Sequence, residues 1–486
     1  MKRLYSSLLI FAFVTGMIFA QNEVDALRYS QNFYGGTARS VAMAGSFGAL
    51  GGDFSSLSIN PAGIGVYRGS ELTFTPSLLF GETSTAYLGT TSEDDSYKFM
   101  VNNLGFVGTH QSGKETGWIS WSFGAGYNQQ NNFNRNFLAK GVQSRNGLNS
   151  SSLLDNFTDN ANAGNWDDYY EELAWLTNLM PYDTLTNEYW NDIADGGYGQ
   201  FQRKTVQESG YLGEYLFSFG ANYNDKIYIG ASLGVHRLRF QQDVELFEVD
   251  DQMEIVYFNS FTFREHLDTY GTGYTFKMGM IFKPINLVRI GAAFHVPAYY
   301  RISEDFHTSM ESTFDPETGE SRIFERSALN SFEYKLRTPY RLITSVAVQI
   351  PKIATFNVDC EFLDYGQVNM DSREYAFYDE NDKIKQIYSS SVNIRAGGEV
   401  RLGPAYLRAG AGYYSSPFKN EQANSDASTI VMAGGLGFRS EKFFLDMGYT
   451  RKSLEEVYYL YVPQDVLGAN VHSIAGQFVA TLGLKF

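Results

Sequence analysis

The residues best suited to catalysis or metal binding are scattered through the sequence. Cys360 is the only cysteine, so the chain has no internal disulfide. No nucleophile-elbow, P-loop or zinc-protease motif occurs, and Gly271-Thr272-Gly273 lacks the third glycine of a dinucleotide fingerprint. We therefore expect no enzyme activity, no metal and no cofactor. The six histidines lie far apart in the sequence, without metal-ligand spacing: His110, His236, His266, His295, His307 and His472.

A second group of residues is suited to close packing. The run Asn60-Pro61-Ala62-Gly63 contains an Asn-Pro turn signal followed by small residues that allow backbone to approach backbone. It closes a segment, residues 21–70, that is rich in glycine and alanine and does not alternate between polar and apolar residues. The segment is too apolar for a free tail and too rich in glycine for a domain with its own core. We predict that it is a compact plug seated inside a larger body.

The N-terminus has the layout of an export signal. Lys2 and Arg3 precede the apolar stretch Leu8–Phe19, and Ala20 precedes polar residues. This order predicts a secretory signal peptide over residues 1–20, cut after Ala20. The stretch is too short to remain as a membrane-spanning helix.

Composition narrows the class of protein. The net charge of −16 disfavours nucleic acid as a partner, because phosphate affinity comes from lysine and arginine. Charged residues are only 19%, aromatic residues reach 16%, and glycine numbers 47. A soluble all-β domain such as a propeller stays open on composition alone. An exported chain of this composition nevertheless favours a membrane β-barrel, in which closure pairs every backbone polar group.

Alternation with a period of two supports the barrel. In Ser473–Phe486, Phe478, Leu482 and Leu484 share one face with the C-terminal Phe486, and polar or small residues occupy the other. Fourteen such segments occur, followed alternately by longer connections and short turns, which is the arrangement of bacterial outer-membrane barrels. We predict strands near 71–84, 97–110, 115–130, 205–223, 226–247, 259–282, 286–302, 334–350, 353–369, 386–402, 405–414, 428–439, 442–453 and 472–486.

The sequence thus predicts an all-β fold: a fourteen-stranded antiparallel transmembrane β-barrel over residues 71–486, with a wet lumen. Its longest connection, at about 131–204, is rich in Asn, Asp, Gly and Ser. Within it, Trp166–Met180 has apolar residues at helical spacing and acidic residues near its start, which predicts a short helix. We interpret the polar run Asn128–Asn132 as the beginning of this loop, with an irregularity of the third strand as the alternative.

Several stretches resemble the FadL-type outer-membrane transporters, the long-chain fatty-acid transporter family. Gly36–Tyr67, with its small-residue stretch and Asn60-Pro61-Ala62, is similar to the hatch of that family. Val288–Phe306 and Arg337–Gly366 resemble it further along the barrel. The resemblance therefore reaches from the hatch to the C-terminal part of the chain.

The resemblance implies a barrel whose lumen is plugged by the hatch at residues 21–70. Hydrophobic small molecules such as long-chain fatty acids would be captured by outer loops and would leave sideways into outer-membrane lipid beside a kinked strand. The hatch motif maps onto Asn60, Pro61, Ala62 and Gly63, either as a ligand contact or as an anchor. A C-terminal Phe486 resembles the signal read by the barrel-assembly machinery. The longest loop follows the third strand, unlike the ligand-collecting loops of the family.

Two other functions stay open on the sequence. Some FadL-like barrels of the Bacteroidetes resemble this chain and serve as partners of a type IX secretion system, and the long Asn- and Asp-rich loop would suit a protein contact. Similar proteins are also described as hemin receptors, which would require a histidine or tyrosine ligand in a loop. The leading prediction is an outer-membrane transporter for the passive uptake of hydrophobic small molecules.

Overall fold

The computed structural model describes residues 23–147, 149–314, 322–461 and 467–486. The predicted signal peptide lies outside these residues. The strands close into one ring, because β1 (Glu71–Tyr87) pairs on one side with β2 (Thr90–Gln111) and on the other with β21 (Ala469–Lys485). Several strand segments follow one another in the same place in the ring, so we count places in the ring, starting from β1, and call them positions. The ring has fourteen antiparallel positions, which confirms the predicted fourteen-stranded barrel.

The other strands follow in chain order. They are β3 (Trp118–Asn132), β4 (Arg135–Val142), β5 (Tyr182–Asp183), β6 (Glu188–Tyr189), β7 (Phe201–Tyr223), β8 (Ile227–Val249), β9 (Phe258–Ile285), β10 (Val288–His295), β11 (Tyr299–Phe314), β12 (Arg322–Arg326), β13 (Asn330–Arg337), β14 (Arg341–Ile350), β15 (Ala354–Asp364), β16 (Asn369–Asp371), β17 (Ser390–Leu402), β18 (Ala405–Tyr414), β19 (Thr429–Arg439) and β20 (Phe443–Tyr458). The short pair β5–β6 forms a separate sheet.

The two faces of the wall differ as the alternation predicts. In β21, Phe478 is 55% exposed and Leu482 is 50% exposed, whereas the intervening Val479 and Thr481 are buried. The exposed apolar residues of successive strands form a continuous band around the outside of the ring. Such a band is the surface that a barrel presents to lipid.

Short turns and longer connections alternate around the ring as predicted, with one exception. Turns of two to six residues follow the even positions, at 112–117, 224–226, 286–287, 351–353, 403–404 and 440–442. The predicted long connection between the first two strands is wrong, since only Leu88 and Gly89 separate β1 from β2. Both strands extend further than their apolar alternation indicates. We predicted that residues 386–389 begin a strand, but 386 and 387 end helix α7 (Tyr378–Ile387), and Tyr388 forms an isolated bridge with Phe418.

Two positions that were predicted as single strands are interrupted. β10 and β11 are separated at 296–298, and β13 and β14 at 338–340. Pro297 and Pro339 lie in these breaks, and proline cannot donate to a ladder. The breaks are adjacent, because the amide of Ala298 donates to Thr338 Oγ1 at 2.9 Å and the amide of Thr338 donates back to the Ala298 carbonyl at 3.0 Å.

The connection after β4 folds into helices that cover the ring. Helices α4 (Leu153–Asn162), α5 (Glu171–Leu176) and α6 (Asp192–Asp195) occupy it, and α5 confirms a shorter form of the helix predicted within Trp166–Met180. Leu173 and Phe157 of these helices are buried. No helix among the described residues is long and apolar enough to cross a membrane.

The interior is filled with side chains, which corrects the prediction of a wet lumen. Near the long connections, a large apolar cluster combines wall residues such as Phe240 and Ile302 with loop residues such as Phe157. Residues 23–70 occupy the rest of the interior: 23–30 join this apolar cluster, and the residues after them extend toward the short turns. They contain α1 (Glu23–Ser30), α2 (Ala38–Ala42), α3 (Ser56–Ile59) and a 3₁₀ helix at Pro61–Val66. We call residues 23–70 the N-terminal segment.

Wall glycines let the N-terminal segment approach the strands closely. A Cβ atom on Gly410 would lie 2.4 Å from the carbonyl carbon of Met43. A Cβ atom on Gly230 would lie 2.3 Å from the Pro61 carbonyl oxygen. The abundance of glycine in the chain therefore reflects, at these positions, backbone-to-backbone contact between segment and wall.

Candidate functional site

The Asn60 side chain ties the N-terminal segment to itself and to the wall. Its Oδ1 accepts from the Ala62 amide at 3.1 Å, which begins the 3₁₀ helix. Its Nδ2 donates to the Gly48 carbonyl at 2.6 Å and to the Met280 carbonyl at 3.2 Å. Asn60 is buried. These contacts are those of an anchor.

Pro61, Ala62 and Gly63 are buried beside it. Gly63 passes close to another turn of the segment: the Gly52 amide donates to the Gly63 carbonyl at 3.0 Å, and a Cβ on Gly63 would lie 3.0 Å from the Gly51 Cα. None of the four residues of the motif lines the cavity described below. A direct role in ligand binding therefore stays a prediction for Asn60, Pro61, Ala62 and Gly63.

Wall carboxylates that sequence reasoning did not single out hold the rest of the segment. Asp359 accepts from the Phe47 and Gly48 amides at 2.9 and 3.1 Å. Glu399 forms a two-point ion pair with Arg39, at 3.1 and 3.0 Å. The sequence shows Asp359 and Glu399 as charged residues on the inner face of a strand. It does not show which residue of the segment each one binds.

The third position of the ring bends where the sequence carries Asn128–Asn132. This run does not begin a loop, as we interpreted it, but continues β3. The register with β7 shifts between Gln129 and Asn131, which leaves Gln130 as a bulge. The Gln130 side chain donates to Ser58 Oγ and to Glu214, both at 3.0 Å. The unbroken polar run was the available signal, since it lacks the apolar alternate residues of a lipid-facing strand.

The bend separates β3 from β2. Their ladder runs from Gln111↔Ser120 to Asn103↔Asn128 and ends there. Beyond that pair, residues 90–102 of β2 pair only with β1 among the residues that the structure describes. A bulge at Asn102, opposite Pro76, lies at the same level.

The N-terminal segment takes the place of β2 on the bent strand. The Phe33 amide donates to the Gln130 carbonyl at 2.8 Å, and the Gly35 amide donates to the Gln129 carbonyl at 3.0 Å. On the other side, Asn102 Nδ2 donates to the Gly36 carbonyl at 2.6 Å. Residues of the segment therefore contact both strands that the bend separates. We call the separation between β2 and β3 the wall gap.

A cavity of about 260 Å³ lies beside the bend. Its lining combines the N-terminal segment, the bent third position, β1, β21 and the connection that follows β18. Apolar and polar side chains alternate around it. They include Leu27, Phe33, Asn131, Phe133, Asn134, Tyr414, Phe418, Lys452, Leu454 and Ala475.

Most charges in the cavity are paired. Glu208 bonds Arg28 at 3.4 Å and Arg135 at 3.0 Å, and Arg135 also pairs with Glu456. Lys452 differs, because no carboxylate within the described ranges reaches ion-pair distance of its ammonium group. Its Nζ lies 4.0 Å from the centre of the Phe33 ring. Among the described lining residues, Lys452 is thus a cation that lies against an aromatic face without a carboxylate at ion-pair distance, whereas Arg28 and Arg135 have both kinds of partner.

The histidines do not assemble a metal centre. His236 and His295 are buried, and His295 Nε2 lies 2.8 Å from the Ile59 carbonyl oxygen of the N-terminal segment. His266 and His307, which are distant in sequence, face each other on β9 and β11 with ring centres 5.0 Å apart. In the part of the chain that the structure describes, no three potential metal-ligating side chains converge.

No protein-family model matches the sequence, and no curated protein matches it. Solved structures do match over nearly the whole length. One is a FadL homologue of Pseudomonas aeruginosa, at 12% identity and a TM-score of 0.55, covering 94% of this chain and 100% of that one. Another is the Pseudomonas putida toluene transporter TodX, at 12% identity and a TM-score of 0.52, covering 94% and 99%. The chain therefore has the fourteen-stranded barrel fold of these transporters.

Proposed function

We propose that the chain is an outer-membrane transporter through which hydrophobic small molecules enter passively. The N-terminal segment is the hatch that blocks the barrel, as predicted for residues 21–70. The long connections face outward and the short turns face the periplasm. Phe486, at the end of the last strand, is the contact for the barrel-assembly machinery. Its ring is exposed, and its backbone pairs with Ser70.

The observation that carries the proposal is the position of the cavity next to the wall gap. Asn131 and Asn134 belong to the bent stretch of the third position and also line the cavity. An unpaired backbone edge is costly in lipid, so an interruption of the ladder at membrane depth calls for a local reason. A side exit gives that reason: an apolar solute leaves the cavity for the bilayer without returning to water.

The cavity also bears on the class of solute. Its volume of about 260 Å³ lies just below the usual range of ligand pockets, which favours a compact or slender molecule. Lys452 and the asparagines supply a polar end that suits a carboxylate, and the leucine and phenylalanine side chains suit a hydrocarbon. These features favour a fatty acid. TodX is a toluene transporter, and a neutral aromatic compound is the alternative.

Replacing Lys452 distinguishes the two classes of solute. Lys452→Met removes the cation and retains most of the side-chain volume. If the solute is a fatty acid, oleate uptake by cells that carry only this variant falls, while toluene uptake does not change. An equal change in the uptake of both solutes would show that the Lys452 ammonium group does not bind a carboxylate.

A matched pair of tryptophan variants tests the route itself. Ala475 lines the cavity on β21, whereas Ala480 lies on the outer, lipid-facing side of the same strand. Ala475→Trp should lower uptake of oleate or toluene at least about tenfold, since the indole fills the space, and Ala480→Trp should leave it near the unmodified rate. Equal uptake by both variants, with both folded, would exclude this cavity as the route.

Neither alternative function gains support from the geometry. The buried His236 and His295 are engaged with the interior, and His266 and His307 lie on the outer face of the wall. No described feature singles out the 131–204 connection as the contact of a secretion system. Measuring uptake by cells that lack the chain tests both alternatives, because each of them predicts that its loss leaves the uptake of apolar compounds unchanged.

A further inference from the structure

Five basic side chains cluster on the outer face of three strands, within a group of four neighbours, β8, β9, β11 and β13. Arg237 and Arg239 lie on β8, Arg301 on β11, and Lys335 and Arg337 on β13. All five are exposed, and their sequence neighbours Leu238, Tyr300 and Leu336 are buried in the interior. The side chains therefore point away from the ring. We call these five residues the basic patch.

The ladder registers place three of them in one row. Arg237 pairs with Thr272 of β9, Thr272 pairs with Arg301, and Arg301 pairs with Lys335. Because adjacent strands lie about 4.8 Å apart, Arg237 and Arg301 are separated by about 10 Å at the backbone. Arg239 lies one row toward the long connections, and Arg337 lies one row toward the short turns.

The patch begins where the apolar band of the wall ends. Tyr274 and Tyr299, in the row of Arg337, are 62% and 59% exposed. Leu233 and Phe276 follow below them on the same face and are also exposed. Tyrosines at this boundary mark the level of lipid headgroups. The basic patch therefore lies at headgroup level in the leaflet on the side of the long connections.

Its charge is largely uncompensated by the protein. Among the described residues, the only carboxylate within ion-pair distance is Asp371, at 3.9 Å from Lys335 Nζ. Arg237 donates to Thr272 Oγ1 at 2.8 Å, and the Arg239 guanidinium lies 5.0 Å from the centre of the Tyr270 ring. Neither contact neutralises a charge.

The surroundings of the patch make this accumulation notable. The chain has a net charge of −16; Glu333 lies in the row of Arg239, and Asp305 lies in the row above it. On β1 and β2, the exposed charged residues are Glu82, Glu93, Asp95 and Lys98. Exposed basic charge is thus denser on β8–β13 than on β1 and β2, where carboxylates predominate.

We propose that the basic patch binds the phosphate groups of an anionic, phosphorylated glycolipid in the outer leaflet. Arginine forms two-point hydrogen bonds with phosphate, and a row spanning four strands matches a headgroup that carries more than one phosphate. The acyl chains lie along the tyrosines and the apolar band beneath. The inference uses the membrane location proposed above, but it does not depend on the transport route.

The test uses the full chain in phosphatidylcholine nanodiscs, titrated with 1,4′-bisphosphorylated lipid A. One variant combines Arg237→Gln, Arg301→Gln and Lys335→Gln. The matched control makes the same change of charge at the short turns, with Lys114→Gln, Lys352→Gln and Lys442→Gln. Retained lipid is measured by native mass spectrometry. Each barrel is shown to be intact by its resistance to unfolding in a denaturing detergent until the sample is heated.

The proposal predicts weaker lipid A binding by the patch variant, on the order of 100-fold for three charges, and little change for the control. Inorganic phosphate should not displace the lipid, because it lacks the acyl chains. Equal binding by the two triple variants would overturn the proposal. Displacement by inorganic phosphate alone would overturn the assignment to a lipid. Binding that requires an acidic protein in place of lipid would assign the patch to a protein partner and refute it too.

Discussion

Removing the Asp359 carboxylate should release the N-terminal segment while leaving the barrel closed. Asp359 lies on β15 and is fully buried. It accepts the Phe47 and Gly48 amides, and Asn357 Nδ2 donates to it at 2.6 Å. In Asp359→Ala the two amides lose their acceptor when the segment is seated but regain water when it leaves. The substitution therefore acts on the seating of the segment more than on the ladder of the wall.

The magnitude follows from these contacts. A hydrogen bond to a charged group contributes about 1.5–3 kcal/mol, so two amides give about 3–6 kcal/mol. Arg395, 3.8 Å from Asp359, keeps its pairing with Glu361 at 3.2 Å, so we take the lower end. About 3 kcal/mol corresponds to an increase on the order of 100-fold in the released population.

Limited proteolysis measures that population. Arg39 lies in α2, inside the barrel, and trypsin reaches it only when the segment leaves. When opening is fast relative to cleavage, the rate of the cut after Arg39 follows the released population. Asp364→Ala is the control, because Asp364 caps the turn at Gly366 and does not contact the segment. If cleavage after Arg39 is no faster in Asp359→Ala than in Asp364→Ala, this account of the anchoring is wrong.

Two other perturbations have defined outcomes. Asn60→Ala removes the bonds that hold the turn at 61–66, and we expect the segment to be released by less urea, at a cost of about 1–3 kcal/mol; an unchanged midpoint for the cut after Arg39 would contradict the anchor interpretation. Burial and the neighbouring Asp195 raise the pKa of Asp192 from 3.8 to about 6. A raised carboxyl pKa means that the protonated form stabilises the folded loop, so the protection of the 192–195 amides, each exchange rate being compared with its intrinsic rate at the same pH, should fall as pH rises from about 4 to 6, and Asp192→Asn should remove that fall.

The barrel could be predicted because each strand carries its own signal. In β18, predicted at 405–414, the structure has Ala405–Tyr414. The alternation reports burial on one face, and it needs no knowledge of the neighbouring strand. Where polar residues extend a strand beyond the bilayer, as in β2, that signal fades. The ends of β1 and β2 were therefore missed.

The candidate site could be predicted only in part, because its contacts join residues that are far apart in the chain. The Asn-Pro turn was recognisable from local chemistry, and its burial against β9 agrees with close packing. The pairing of Arg39 with Glu399 depends on where the wall strands place the carboxylates of their inner faces. The same holds for Lys452, whose isolation from carboxylates is a property of the folded cavity.

The wall gap and the N-terminal segment are physically linked. The segment supplies Phe33 and Gly35 as ladder partners for the bent β3, and it accepts a hydrogen bond from Asn102 of β2 through the Gly36 carbonyl. Residues 33–36 thus connect β2 and β3, the two strands that flank the gap. If these residues moved, the Gln129 and Gln130 carbonyls of β3 would lose the amide donors that replace β2, and buried carbonyls without partners are costly. We therefore expect the width of the gap and the seating of residues 33–36 to change together, and under the side exit proposed above this stretch would control it.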